Sequence, residues 1–258
     1  MIKKSSPYNS ESNKFGSSKA CNHGIKYEQI AILLYEKRNN VKVLDFGCIP
    51  HFNHNIPFGA SPDGIVKLDG SNFSGRMLEI KCPYSRVING KIPDMYWKQI
   101  QGQLEVCDLF YCDYLECKIE EYNTKEEYIK DNINDNINNK TKNDLEKGAI
   151  ILYIENEDYK YIYLPIGLTI KDLEKKIEEE TNKILNNDNM HFIKIIWWKL
   201  IIYSCVLVKR DKEWFKSILP QLLKLWENVE YYRKNGNESL IKKKNICGKK
   251  DNKKEKEN

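Results

Sequence analysis

The stretch GASPDGIVKLDGSNFSGRMLEIKCP, residues 59–83, constrains this chain most. Two apolar runs, Asp63–Leu68 and Met77–Cys82, flank a polar connection that opens on Asp69-Gly70-Ser71. Asp, Gly and Ser are turn formers, so a β-hairpin is expected. Pro62 lacks a ladder donor and suits a strand entrance. Side chains alternate along a strand. Glu79 and Lys81 therefore share one face, and Leu78, Ile80 and Cys82 the other. The hairpin brings Asp63, at the start of one strand, beside Glu79 on its neighbour. Two carboxylates held close repel unless a cation lies between them. Oxygen ligands with open water positions favour Mg²⁺ or Mn²⁺. Such an ion polarises a phosphodiester oxygen and acidifies a bound water. Lys81 beside it is expected to be neutral and able to orient or deprotonate that water.

The rest of the chain alternates helical and extended patterns. Residues 1–22 are polar and read as a flexible N-terminal segment. From His23, the spacing of Ile25, Ile30, Leu33 and Leu34 predicts a helix that Asn39-Asn40 ends. Val41–Phe46 reads as a strand, followed by a loop with Pro50 and Pro57. Pro93 introduces a helix over Asp94–Cys107, and Tyr111–Ile119 reads as a strand. Residues 121–148, with NINDNINN at their centre, read as a low-complexity insertion on the surface, disordered or helical. Ala149–Ile154 and Tyr159–Pro165 form an expected hairpin. Thr169 and Asp211 are placed to cap two final helices. The first buries Ile170, Leu173, Ile177 and Ile184. The second buries a stripe from Trp214 to Val229 and bends or breaks at Pro220. Residues 166–240 thus read as a helical extension, and the order of elements as α/β with a mixed sheet.

At 258 residues and 41% apolar, the chain can bury a sizeable core. Its net charge of +5 resides in residues 241–258, a basic tail expected to be disordered; the remainder is balanced. The eight cysteines do not have the spacing of a disulfide framework, which points to a reducing, intracellular compartment. Met1-Ile-Lys-Lys runs into polar residues without a signal-peptide pattern. The most apolar run, Ile193–Val208, is too short for a membrane span and contains Lys194 and Lys199, so no membrane role is expected.

Asp63-(x15)-Glu79-x-Lys81 resembles the PD-(D/E)xK nuclease motif. Three further stretches extend the likeness: HGIKYEQIAILLYE (23–36), which contains Glu28, CPYSR (82–86) and YWKQIQGQLEV (96–106). Together they resemble the lambda-exonuclease-like nucleases, in particular the YqaJ-type viral recombinase family, close to the alkaline exonucleases of large DNA viruses. The likeness is strong over 23–119 and continues more weakly into WWKL (197–200) and RDKEWF (210–215). It implies a restriction-endonuclease-like mixed sheet flanked by helices, with a nuclease domain over 23–240. It implies a Mg²⁺- or Mn²⁺-dependent exonuclease acting 5′–3′ on duplex DNA in recombination and repair. Asp63 and Glu79 would hold the metal, with the Ile80 carbonyl as a further ligand. Lys81 would act on the water. Glu28 would help bind or position a second metal, and Gln99 would sit beside the scissile phosphate or the water. Ser85 and Arg86 are expected to meet a phosphate, with Lys91 and Lys98 as further DNA contacts. The partners implied are duplex DNA ends, a single-strand annealing protein and copies of the chain in a trimeric ring. If viral, it would work in the host cytoplasm or nucleus.

Family members carry a longer N-terminal region with an Arg and a Ser/Thr-Ala-Ser element that grips the DNA end. Here Glu28 follows only 27 residues and no such element is visible, so the chain reads as a truncated product or takes its grip from elsewhere. That keeps a catalytically weak or inactive DNA-end-binding recombination module as the alternative. Two other chemistries stay open. Cys21 with Cys107, Cys112 and Cys117 would be needed for an iron–sulfur nuclease, and Cys48, His51 and His54 for a zinc site.

Overall fold

The computed structural model of the chain describes residues 18–53, 55–132 and 139–236. Helix α1 spans Lys19–Asn39. It starts before His23 because the Ser18 hydroxyl accepts from the Cys21 amide, so residues 19–22 belong to the helix. It ends on Asn40 in the left-handed region, at φ 53°, with Lys37 and Arg38 in the last turn. Residues 1–17, in the segment expected to be flexible, lie outside the described residues.

Short strands follow: β1 (Val43–Leu44), β2 (Ile49–Pro50) and β3 (Gly59–Ala60). The proline loop is thus tied by a small antiparallel β2–β3 ribbon. The expected hairpin forms from β4 (Gly64–Val66) and β5 (Met77–Lys81), in register Gly64↔Leu78 and Ile65↔Met77. Gly64 is required here because a Cβ would run into the Val43 side chain. Helix α2 (Asp94–Val106) begins after Pro93 and leads into β6 (Tyr111–Glu121), which runs parallel to β5.

Strand β7 (Lys147–Glu155) and strand β8 (Asp158–Tyr163) form the second hairpin. Helix α4 (Ile170–Leu185) is capped by Thr169, as expected. Two expectations fail. Residues 166–240 are not all helical: β9 (Met190–Lys209) is a strand of twenty residues that pairs with β6 on one side and β7 on the other. The insertion 121–148 is also not merely a surface excursion. Thr124 caps helix α3 (Lys125–Lys130), Tyr128 is fully buried against Trp197, and Lys147 is fully buried at the start of β7. Lys147 donates to the Tyr128 and Asp131 carbonyls, both at 2.5 Å, and so ties α3 to the sheet. Residues 133–138, inside the NINDNINN stretch, lie outside the described residues.

The main sheet has seven strands in the order β1-β4-β5-β6-β9-β7-β8, with β5–β6 its parallel pair. The period of two decides what each face buries. Leu78, Ile80, Leu115, Ile196 and Trp198 pack with Tyr27, Ile30, Leu34 and Tyr35 of α1. Met77, Cys112, Tyr114 and Val208 pack with Ile100 and Leu104 of α2. Ala149, Ile151 and Trp197 pack with Leu173, Ile177 and Ile184 of α4. The sheet is therefore a mixed α/β layer covered by helices.

The described residues fall in two compact units, divided between Phe215 and Lys216. Helix α5 (Lys212–Asn235) continues through Pro220 as one helix, capped by Asp211, which accepts from the Trp214 amide at 2.9 Å. In the second unit Val229 is buried, Leu225 is 44% exposed, and Arg233 lies over the Trp226 ring. The expected stripe is thus only partly buried. Among the described residues no helix is long and apolar enough to cross a membrane. The tail 241–258 lies outside them.

Candidate active site

Three elements supply the site: the β4–β5 hairpin, α2, and the middle of α1. Asp63 precedes β4 and, by the hairpin register, faces Glu79. Its Oδ2 accepts from the Ile80 amide at 2.5 Å. Glu79 is buried at 1% exposure. Its Oε1 pairs with Lys81 Nζ and accepts from Gln99 Nε2 at 2.8 Å. Its Oε2 accepts from Gln103 Nε2, also at 2.8 Å. Three donors thus meet this buried carboxylate. Lys81 also lies 5.1 Å from the Tyr96 ring centroid.

The electrostatics are those of crowded carboxylates. Burial pushes the Asp63 carboxyl up to about 7, aided by the charges of Glu79 and Glu28 and opposed by the Ile80 amide and Lys81. Burial also raises Glu28, with Glu79 and Asp45 adding and Lys81 opposing. For Lys81, burial works against the charge, but Glu79 and Asp63 outweigh it and hold the ammonium above its ordinary value. The neutral Lys81 was expected beside a bound metal ion; beside Glu79 and Asp63 alone the ammonium is favoured.

Glu28, Ile80, Lys81, Ser85, Arg86 and Tyr96 line one cleft of about 600 Å³. Arg86 reaches the buried Glu116 carboxylate, which also accepts from the Tyr114 hydroxyl at 2.9 Å. This fixes the guanidinium at the cleft wall. Lys91 and Lys98 are exposed and do not line the cleft; Lys98 pairs with Asp94 one turn away on α2. The structure thus brings together Glu28, Asp63, Glu79, Ile80, Lys81 and Gln99, with Ser85 and Arg86 beside Lys81. Gln103 was given no role from the sequence. Its signal is position: it stands four residues after Gln99 and so on the same helix face.

Among the described residues the iron–sulfur candidates do not assemble. Cys112 and Cys117 are buried in cores on opposite faces of β6, which separates two of the four iron–sulfur candidates. His51 accepts from the Asn53 amide at Nδ1, and Cys48 is exposed. His54 lies outside the described residues.

Among the described residues no three His, Cys, Asp or Glu side chains stand in ready ligand geometry. Glu79 is turned to Lys81 and the two glutamines, and Asp63 to the Ile80 amide. The donor chemistry fits a hard divalent ion: two facing carboxylates, a third acid near enough to raise both Asp63 and the local negative potential, and oxygen donors only.

A protein of Acanthamoeba polyphaga mimivirus, described as uncharacterized, is 36% identical over 88% of this chain. The chain spans 47% of that relative's length. The crystal structure of LHK-Exo in complex with dAMP is 20% identical, with a TM-score of 0.44 over 85% of this chain and 74% of that one. The alkaline exonuclease LHK-Exo from Laribacter hongkongensis is 18% identical, with a TM-score of 0.45 over 91% and 89%. Residues 1–109, which carry Glu28, Asp63, Glu79, Lys81, Gln99 and Gln103, match the YqaJ-like viral recombinase domain, the family to which the motifs of those same residues point.

Proposed function

We propose that this chain is a metal-dependent deoxyribonuclease of the PD-(D/E)xK type, an exonuclease that trims duplex DNA ends 5′–3′ during viral recombination and repair. The observation that carries this reading is the buried Glu79 carboxylate, shared by Lys81 and Gln99 and faced by Asp63. A structural salt bridge has no need of a second acid and two helix amides at the same point.

Asp63 and Glu79 would hold Mg²⁺ or Mn²⁺, with the Ile80 carbonyl as a further ligand and Glu28 serving a second ion. When bound, the ion supplies Lewis acidity to a phosphodiester oxygen and lowers the pKa of a water. Lys81 Nζ would orient the attacking water as the ammonium, or, once deprotonated, would take its proton. Gln99, exposed on α2 with its amide on Glu79 Oε1, would turn that amide to the phosphate. Arg86, braced by Glu116, and Ser85 receive a backbone phosphate at the cleft wall. Lys91 and Lys98 add sequence-independent attraction from outside the cleft. A single-strand annealing protein and a homo-oligomeric ring accompany this reading, as does a reducing host compartment, cytoplasm or nucleus.

The test is a comparison of linear duplex DNA with a covalently closed circle, with Mg²⁺ or Mn²⁺ and with EDTA. The linear form should be degraded and the circle spared, and EDTA should abolish the activity. Equal cleavage of the circle would make the protein an endonuclease. Binding of ends without degradation would favour the DNA-end-binding module.

A further inference from the structure

Gln99 is not the only amide on Glu79. Gln103, one helical turn further along α2, donates from Nε2 to Glu79 Oε2 at 2.8 Å and reaches the Ser61 carbonyl at 3.4 Å. Ser61 lies two residues before Asp63. One NH₂ group therefore bridges the chain leading to Asp63 and the carboxylate of Glu79. Both partners only accept, so the amide must present its nitrogen to them. Its own Oε1 is buried with no hydrogen-bond partner among the described residues. A buried acceptor left unmet opposes folding, and a Leu or Met of similar size would avoid that cost. The residue is 7% exposed, whereas Gln99 is exposed. Gln103 is thus placed to hold the carboxylate rather than to meet a substrate.

We infer that Gln103 is a positioning residue that fixes the plane of the Glu79 carboxylate and its distance from Asp63. The inference rests on the nuclease reading above and goes beyond it by assigning a device for metal affinity. A neutral double donor suits this task. It orients Glu79 without cancelling the negative charge that attracts the cation, while Lys81 and Gln99 occupy the other oxygen. Partners that hold a ligand in place tune metal affinity as the ligands themselves do.

A purely structural role would look different, and the same helix supplies the control. Gln101 is fully buried; its Nε2 donates to the Lys209 carbonyl at 2.9 Å and its Oε1 accepts from the Asp211 amide at 2.6 Å. It ties α2 to the end of β9 and the start of α5. The experiment measures Mn²⁺ binding to the DNA-free full chain by calorimetry, with thermal unfolding of the metal-free protein and the Mg²⁺ concentration for half-maximal cleavage alongside. Q103M should bind Mn²⁺ about 10-fold or more weakly and shift the Mg²⁺ midpoint upward by a similar factor. Q101M should lower the unfolding temperature yet keep Mn²⁺ affinity within about twofold of the parent. If Q103M does not fold, Q103N decides: it keeps a buried amide but loses one methylene of reach, and the same weakening is expected. Parent-like Mn²⁺ affinity in the folded Q103 variant, or an equal loss in Q101M, overturns the inference while the nuclease reading stands. A parent that neither binds Mn²⁺ nor cleaves DNA overturns both.

Discussion

Gln99 Nε2 and Lys81 Nζ meet on the same Glu79 oxygen, the amide at 2.8 Å. One donor comes from α2 and the other from β5, so docking the helix on the sheet assembles the site. Any ligand that takes Oε1 must displace both donors and leave them free beside it. Gln99→Ala should therefore lower the cleavage rate at saturating metal by about 10²-fold, the scale of losing one positioned donor to developing charge. Gln99 is exposed and the fold does not depend on it, so the unfolding temperature should hardly move. Single-turnover rates with thermal melts check this.

Tyr128 should matter to stability although it sits in an Asn- and Lys-rich segment. Its ring centroid lies 4.6 Å from that of Trp197 and 5.4 Å from that of Tyr122, with no exposed surface to speak of. Tyr128→Ala should cost about 3–5 kcal/mol, as for other buried aromatics. Urea denaturation measures this. For the same reason a Gly-Ser linker in place of residues 121–148 should unfold the protein.

Lys147 gives a signed pH dependence. Burial lowers its ammonium to about 8, with Asp131 opposing. Between about pH 8 and the ordinary lysine value, the unfolded chain therefore holds a proton that the native chain has lost. Stability from this group then rises with pH across that window. The melting temperature of the parent relative to Lys147→Met should increase as pH goes from 8 to 10. A constant difference would show that Lys147 titrates as an ordinary lysine.

Arg86 and Lys98 should separate in their contributions to DNA binding. Arg86 lines the cleft, whereas Lys98 lies outside it and pairs with Asp94. Arg86→Ala should weaken duplex binding and reduce the slope of log affinity against log salt by about 1. Lys98→Ala should change the slope less. Titrations at several salt concentrations give both values.

The site was legible in the sequence because its chemistry is local. Pro62, Asp63 and Gly64 mark a strand entrance, and a period of two puts Glu79 and Lys81 on one face. The hairpin register then places Asp63 across from Glu79. Strand β9 was not legible. Its centre, Ile196, Trp197, Trp198 and Leu200, is buried on both faces between β6 and β7, so no alternation betrays it. The role of 121–148 was hidden because two residues, Tyr128 and Lys147, anchor a segment whose composition is otherwise that of a solvated loop. The ion pair between Arg86 and Glu116 joins residues 30 positions apart and depends on β6 lying beside β5. Gln103 was visible as a residue but not as a donor to Glu79, since that contact needs α2 docked over the hairpin.

The most direct test of the active site compares Mg²⁺-dependent degradation of linear duplex DNA by the parent with that by Asp63→Ala, Glu79→Ala, Lys81→Ala and Asp69→Ala. The first three should each lose about 10²-fold or more in rate. Asp69, exposed in the hairpin turn where its Oδ1 accepts from the Ser71 amide at 2.9 Å, should retain nearly the full rate. Parent-like rates in folded Glu79→Ala and Lys81→Ala proteins would contradict the account.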